Sequence, residues 1–194
     1  PVNPYGLSKL MVEQALAWAE GAHGLRSAAL RYFNAAGADP AGRAGEDHDP
    51  ETHLIPRAIL ATLGELPPLH VFGTDYDTPD GTAVRDYVHV ADLAAAHMAV
   101  LPRLDRGSVR YNIGNGAGHS VREVMAAVER VAGRPVPHVN GPRRAGDPPA
   151  LVASSARLRA ETGWAPRFAE LDQIVRTAWD WHAARPKGYR ARAA

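Results

Sequence analysis

The sequence predicts an α/β fold, because short apolar segments alternate with longer segments in which apolar residues recur at helical spacing. Long polar loops rich in Gly, Pro and Asp separate several of these segments. Such loops fit a ligand-binding lobe better than a compact sheet alone. The 194 residues suffice for one domain with a hydrophobic core.

Composition excludes several classes of protein. With 22 basic and 21 acidic residues the formal net charge is +1, so no excess charge directs the chain to nucleic acid or to an anionic membrane. The absence of cysteine rules out a disulfide scaffold, a thiolate zinc site and a cysteine nucleophile. No run of about 18 apolar residues could form a membrane-spanning helix, and no signal-peptide pattern opens the sequence. We therefore expect a cytoplasmic protein that binds neither nucleic acid nor membranes.

The first elements follow from local patterns. Apolar residues at helical spacing predict a helix that begins at Tyr5, after a turn, and ends near 21–24. The apolar segment 26–33 predicts a buried strand, and the segment 35–50, rich in Gly, Pro and Asp, predicts a loop.

Later elements are predicted in the same way. Ser120 and Glu123 form a capping box, which predicts a helix from there to Val131. The other predicted elements are helices at 54–63, 92–101, near 155–161 and from Leu171 to about Trp181, strands at 69–73, 84–90 and 109–113, a loop at 74–82 and a Pro-rich connection at 135–149.

Tyr5 and Lys9 form a pair with chemical potential. Four residues apart at the start of a helix, they lie on one face with their Cβ atoms about 5–6 Å apart. An ammonium beside a phenol favours the phenolate, which can take a proton from an alcohol. Lysine is scarce here, since Lys187 is the only other one. A packed tyrosine beside a solvated lysine explains the same pattern, so the pair alone decides nothing.

Further motifs follow this pair in order along the chain. They are 4–9 (PYGLSK), 31–34 (RYFN) with Gly37, 84–93 (VRDYVHVADL), 111–114 (YNIG) and 143–150 (RRAGDPPA). Together they resemble the extended short-chain dehydrogenase/reductases, and within them the UDP-glucose (UDP-galactose) 4-epimerases. Segments 72–76, 80–82 and 182–189 sharpen that resemblance, which extends from Pro4 to Tyr189.

The resemblance implies the C-terminal part of a Rossmann-type doubly wound sheet plus a smaller mixed α/β lobe that binds the substrate. Residues 1–50 would be the remainder of the NAD-binding Rossmann domain, 51–190 mainly the UDP-sugar-binding lobe with some segments returning to the Rossmann sheet, and 191–194 a tail. No glycine-rich pyrophosphate turn follows a strand here, and the family's catalytic Ser/Thr is missing. We therefore expect an epimerase fragment that is inactive alone, and a full-length enzyme that is a homodimer with tightly bound NAD.

The resemblance also implies roles for single residues. Tyr5 matches the general base, Lys9 the residue that binds the nicotinamide ribose beside it, and Phe33 a nicotinamide contact. The implied contacts to UDP-glucose or UDP-galactose are Asn34, Arg85 and Arg144 at the phosphates, Asp147 at a ribose hydroxyl, His70, Val71 and Phe72 along the uracil pocket, and His53, Leu54 and Leu151 nearer the sugar.

Two of these positions depart from the common pattern. His53 stands where many members have an asparagine before a Leu-x-Pro run, and it can still offer a donor. Leu151 stands where bacterial enzymes often have a tyrosine that walls the sugar pocket, so an N-acetyl group could be admitted.

Other interpretations stay open or are weaker. Another NAD-dependent sugar-nucleotide epimerase or dehydratase, and an inactive sugar-nucleotide-binding module, are the alternatives. No metal is predicted: Asp86, His89, Asp92 and His97 are candidate ligands, but Asp86 and His89 fall at opposite parity on a strand. The four tryptophans are most simply explained by packing in the core and between helices.

Overall fold

The structure is a computed structural model that describes residues 1, 3–185 and 187–189. Pro186 of the C-terminal motif and the predicted tail 191–194 lie outside the described residues. The helices are α1 (Pro4–His23), α2 (Leu54–Leu63), α3 (Val90–Val100), α4 (Val121–Ala132), α5 (Ala156–Thr162) and α6 (Leu171–Ala184), and a 3₁₀ helix (Leu101–Arg106) follows α3. The strands are β1 (Ala28–Tyr32), β2 (Asn34–Ala36), β3 (Leu69–Phe72), β4 (Val84–His89), β5 (Val109–Ile113), β6 (Gly118–Ser120), β7 (His138–Gly141) and β8 (Ala150–Leu151).

The predicted mixed α/β fold is confirmed. Each predicted helix is present, and the capping box of α4 forms as its sequence indicates: Ser120 Oγ accepts from the Glu123 amide at 3.0 Å, and Glu123 Oε2 accepts from the Ser120 amide at 2.7 Å. The αL glycines Gly24 and Gly163 end α1 and α5, as predicted.

The prediction was wrong about several short strands. β2 covers the start of the predicted loop at 35–50, β7 lies in the predicted connection at 135–149, and neither β6 nor β8 was expected. These strands are two to four residues long. Segments of this length are too short to show an alternation of apolar and polar residues. Their pairing is set by strands that are distant in sequence.

Strand β4 is the centre of the sheet structure. It pairs in parallel with β2 (Asn34 opposite Tyr87) and β8 (Arg85 opposite Leu151), and antiparallel with β6. Separately, β1 pairs in parallel with β5 and β3 with β7. Strands before residue 50 therefore pair with strands after it.

Most of the apolar core lies among three helices. α2, α4 and α6 pack on one another and on β3, burying Ile59, Val124 and Ile174 almost completely. A second cluster, with Leu158 and Trp164, lies between α3, α5 and β5. These clusters hold the strand ends around which the cavity described below is formed.

Helix α1 differs from the other α-helices because none of its residues is buried. Trp18, for which packing was predicted, is 80% exposed, whereas Trp164 and Trp181 are buried and Trp179 packs against the core. Trp18 is thus not covered by the described residues of this chain, because spacing identifies an apolar stripe but not the surface that covers it. Among the described residues no helix is long and apolar enough to cross a membrane.

Candidate active site

A cavity of about 1380 Å³ lies between β2, β3, β4 and the N-terminal end of α2. Most of the predicted site residues line it, although they come from widely separated segments. These are Phe33, Asn34, His53, Leu54, His70, Phe72, Arg85, Arg144 and Asp147. The structure thus brings these segments to one cavity, while the roles of the residues toward a ligand stay predictions.

One wall of the cavity combines aromatic rings with a cation. The guanidinium carbon of Arg144 lies 4.0 Å from the ring centroid of Phe72, and the His70 ring stacks on Phe72 with centroids 5.9 Å apart. A flat ring beside a cation suits a ligand that joins an aromatic base to a phosphate. Arg144 also lines a second, smaller cavity of about 770 Å³.

Arg85 and Asp147 are in direct contact. A guanidinium nitrogen of Arg85 forms an ion pair with Asp147 Oδ1, and the other terminal nitrogen donates to the Val84 carbonyl at 2.7 Å. The Arg85 side chain is 14% exposed and that of Asp147 is 32% exposed. Sequence reasoning assigned the two residues to different parts of a ligand and missed their pairing.

The neighbouring Asp86 is a structural residue. Its fully buried carboxylate accepts from the amides of Asn115 at 2.9 Å and of Gly116 and Ala153 at 3.1 Å. The Asp86 carbonyl accepts from Asn34 Nδ2 at 3.0 Å. These bonds fix β4, and with it Arg85, at the edge of the cavity.

His89 and Asp92 also have structural roles, since both form contacts that hold neighbouring segments in place. His89 Nδ1 accepts from the Ala91 amide at 3.0 Å and so caps α3, its Nε2 lies 2.9 Å from Thr177 Oγ1, and its ring stacks on Phe168 with centroids 4.1 Å apart. Asp92 accepts from the Arg167 and Phe168 amides at 2.9 Å. Burial lowers the pKa of His89 although Asp92 opposes that shift. Backbone amides thus occupy His89 Nδ1 and the Asp92 carboxylate, and the Thr177 hydroxyl contacts His89 Nε2.

Tyr5 and Lys9 lie on one face of α1, as their spacing predicted. Lys9 Nζ is 5.0 Å from the Tyr5 ring centroid, and Tyr5 is 72% exposed. Asn3 caps the helix by accepting from the Gly6 amide at 2.8 Å. Neither member of the pair belongs to the lining of the large cavity.

Two further predicted site residues, Val71 and Leu151, lie outside the cavity lining. Val71 is only 2% exposed and belongs to the core, because alternation along β3 turns it away from the face that carries His70 and Phe72. The role of its strand at the uracil stays a prediction. Leu151 pairs with Arg85 in register but is not part of the cavity lining, so its proximity to the sugar stays a prediction.

Sequence reasoning missed a group of titratable residues at the cavity edge. Glu46, His48, Glu51 and His53 bring their side-chain donor atoms within 4.8 Å of one another. Burial and the Glu51 carboxylate raise the pKa of Glu46, while the two histidines oppose that shift. The closely spaced acidic and imidazole residues in EDHDPETH are a signal that could have pointed to this group.

Comparison with known proteins identifies the family of the chain. The model of the family described as "NAD dependent epimerase/dehydratase family" matches residues 1–114. UDP-glucose 4-epimerase of Azospirillum brasilense is 57% identical over 183 residues, covering 93% of this chain and 53% of that protein. UDP-glucose 4-epimerase of Lacticaseibacillus casei is 50% identical over 191 residues, covering 97% of this chain and 58% of that protein.

Solved structures give the same relationship. UDP-glucose 4-epimerase from Brucella ovis in complex with NAD matches with a TM-score of 0.88 at 51% identity, covering 93% of this chain and 56% of that one. The enzyme from Bifidobacterium longum in complex with NAD⁺ and UDP matches with a TM-score of 0.91 at 42% identity, covering 96% and 56%. The chain thus spans little more than half the length of these relatives. It belongs to the NAD-dependent epimerase/dehydratase family.

Proposed function

We propose that the full polypeptide containing this chain is an NAD-dependent 4-epimerase that interconverts UDP-glucose and UDP-galactose. The observation that carries the proposal is the cavity in which Asn34, Phe72, Arg85 and Arg144 converge from four separate segments. The relatives named above are UDP-glucose 4-epimerases, which favours this activity over other reactions of the same family.

The cavity offers the groups that a UDP-sugar needs. Phe72 with His70 gives a ring surface for uracil, and Arg144 at 4.0 Å from the Phe72 ring places a cation where the nucleotide meets its phosphates. Arg85 adds a second guanidinium, whose planar fork suits phosphate oxygens. A ligand held by its nucleotide leaves the sugar free to turn, which an epimerase requires.

The residues present fit the nicotinamide end of NAD. Tyr5 and Lys9 share an exposed face of α1, and Phe33 lines the cavity just after β1. NAD, when bound there, would supply the acceptor and donor of the C4 hydride. Tyr5 would take the proton of the C4 hydroxyl, and Lys9 beside it would bind the nicotinamide ribose.

The division of the chain is also a proposal. Residues 1–50 complete an NAD-binding Rossmann domain, while 51–190 form mainly the UDP-sugar lobe, with β5 returning to the Rossmann sheet through its pairing with β1. The uncovered apolar face of α1 supports a homodimer of the full-length enzyme. We further propose a cytoplasmic location, where sugar nucleotides are the expected substrates.

The test is epimerisation by the full polypeptide, purified from a host that lacks its own epimerase. We expect UDP-galactose to be converted to UDP-glucose, and Arg144→Ala to raise KM because the nucleotide loses its cation. Binding of UDP without any conversion would instead favour an inactive sugar-nucleotide-binding module. Conversion of UDP-glucose to a dehydrated 4-keto product would favour a dehydratase.

A further inference from the structure

The segment 46–53, between β2 and α2, gathers two imidazoles and two carboxylates around one point. His53 Nδ1 lies 2.7 Å from Glu46 Oε1 and 2.9 Å from Glu51 Oε1, and His48 Nδ1 lies 2.9 Å from Glu46 Oε1. All four donor atoms lie within 4.8 Å of one another. A tetrahedral ion bound at about 2.0–2.2 Å needs its ligands about 3.3–3.6 Å apart, so only small adjustments are required.

The positions of these side chains are fixed by the fold. Glu51 has a side chain only 4% exposed, and its Oε1 accepts from the amides of Thr52 and His53 at 2.7 Å. The Glu46 carbonyl accepts from Trp181 Nε1 at 3.0 Å, which ties this end of the segment to α6. The donors therefore converge on a framework that is anchored at both ends.

The charge of the group suits a divalent cation. In the ion pairs that the structure shows for Glu46 and Glu51, the partners are His48 and His53, which are charged only when protonated. Two carboxylates side by side repel each other, and two neutral imidazoles do not cancel their charge. A doubly charged ion between the four side chains would balance the charge of both carboxylates and would be coordinated by one nitrogen of each imidazole ring.

We propose that Glu46, His48, Glu51 and His53 bind one zinc-type divalent cation, which fixes the segment 46–53 against the start of α2. Two imidazole nitrogens with two carboxylate oxygens form a donor set that Zn²⁺ accepts and that Mg²⁺, which prefers oxygen, does not. Since all four positions are filled by protein atoms, the ion has a structural role. The proposal does not depend on the epimerase activity.

The test is zinc binding to the full polypeptide after removal of any affinity tag and dialysis against a chelator. We expect titration with ZnCl₂ to give one ion per chain by calorimetry and by elemental analysis. His48→Ala should weaken binding at least about tenfold. His48 is suited to this test because its side chain is 56% exposed and contacts the cluster. His23→Ala, an exposed histidine at the end of α1, is the matched control and should bind zinc like the parent.

A second variant separates loss of ligands from loss of folding. Glu46→Gln keeps the size of the side chain and removes one charge, so it should also weaken zinc binding while the circular dichroism spectrum stays unchanged. MgCl₂ should give no saturable binding at this cluster. Zinc well below one ion per chain in the parent, or equal zinc affinity for His48→Ala, Glu46→Gln and His23→Ala, would overturn the proposal.

Discussion

Helices α1 and α6 both carry apolar residues at helical spacing, but their surroundings are opposite. α6 buries Leu171, Ile174, Val175 and Ala178 in the core shared with α2 and α4, and it buries Trp181 beside the loop at Glu46, whereas α1, although longer, buries none of its residues. Within the described part of the chain, ion pairs from Glu13 to Arg31 and Arg110 join α1 to β1 and β5. The difference shows that an apolar stripe identifies a packing face without identifying its partner. It also leaves the Tyr5–Lys9 face of α1 open to groups outside this chain.

The largest effect is expected for the chemistry assigned to α1. Tyr5→Phe in the full polypeptide should lower kcat for UDP-galactose by about 10²–10⁴, since the proton acceptor is removed. Gln14→Ala, an exposed residue on the same helix, should leave kcat within about twofold of the parent. Stopped assays of UDP-glucose formation measure both. A kcat near that of the parent for Tyr5→Phe would remove Tyr5 from the mechanism and α1 from the chemistry.

The next effect concerns the buried face of α6. Trp181 is 1% exposed, and its indole donates to the Glu46 carbonyl. We expect Trp181→Ala to lower the free energy of unfolding by about 3–5 kcal/mol, because the substitution leaves a large cavity. Urea unfolding followed by circular dichroism gives this value. A loss below about 1 kcal/mol would mean that α6 packs no better than α1.

A buried histidine beside α6 links packing to pH. Because burial lowers the pKa of His89, the unfolded chain binds its proton first as the pH falls through about 6.5, and this lowers stability on the acid side. At higher pH both states are neutral and the effect vanishes. His89→Asn keeps an acceptor for the Ala91 amide but loses the Thr177 contact. We expect it to cost about 1–3 kcal/mol at pH 7 and to flatten the stability change between pH 7 and 5.

Unfolding curves at pH 7, 6 and 5 measure this difference. His23→Ala, at an exposed histidine, is the control. Its free energy of unfolding should change with pH as that of the parent does. An equal slope in His89→Asn and the parent would show that other groups carry the acid sensitivity.

The smallest effect is expected at the tryptophan of α1. Trp18 is 80% exposed, so Trp18→Ala in the 194-residue chain should change the free energy of unfolding by no more than about 0.5 kcal/mol. If further protein covers α1, the same substitution in the full polypeptide should cost clearly more. Parallel urea unfolding of both lengths sharpens the comparison between the helices. A large decrease in the free energy of unfolding of the 194-residue chain would show that Trp18 is packed within it.

The parts of the fold that sequence could predict are those specified locally. The capping box at Ser120 and the glycines after α1 and α5 act within a few residues of the chain, so the helix ends could be located from them. The strands β6, β7 and β8 depend on partners far away in sequence, and their few residues carry no periodic signal.

The site was only partly predictable for the same reason. Family motifs supplied Phe33, Arg85 and Arg144, which the fold brings to one cavity. The period of two along β3 already places the Val71 side chain on the face opposite to His70 and Phe72, as the structure shows. The pairing of Arg85 with Asp147 has no local signal, since the two residues are 62 positions apart.

The central claim is that the cavity binds the nucleotide while α1 supplies the reactive face. The most direct test is the affinity for UDP of the full polypeptide and of two variants, measured by calorimetry. We predict that Tyr5→Phe leaves the Kd within about twofold, and that Arg144→Ala raises it about 10–100-fold through loss of a charge-assisted contact worth about 1.5–3 kcal/mol. A Kd unchanged by Arg144→Ala, or raised as strongly by Tyr5→Phe, would contradict this division.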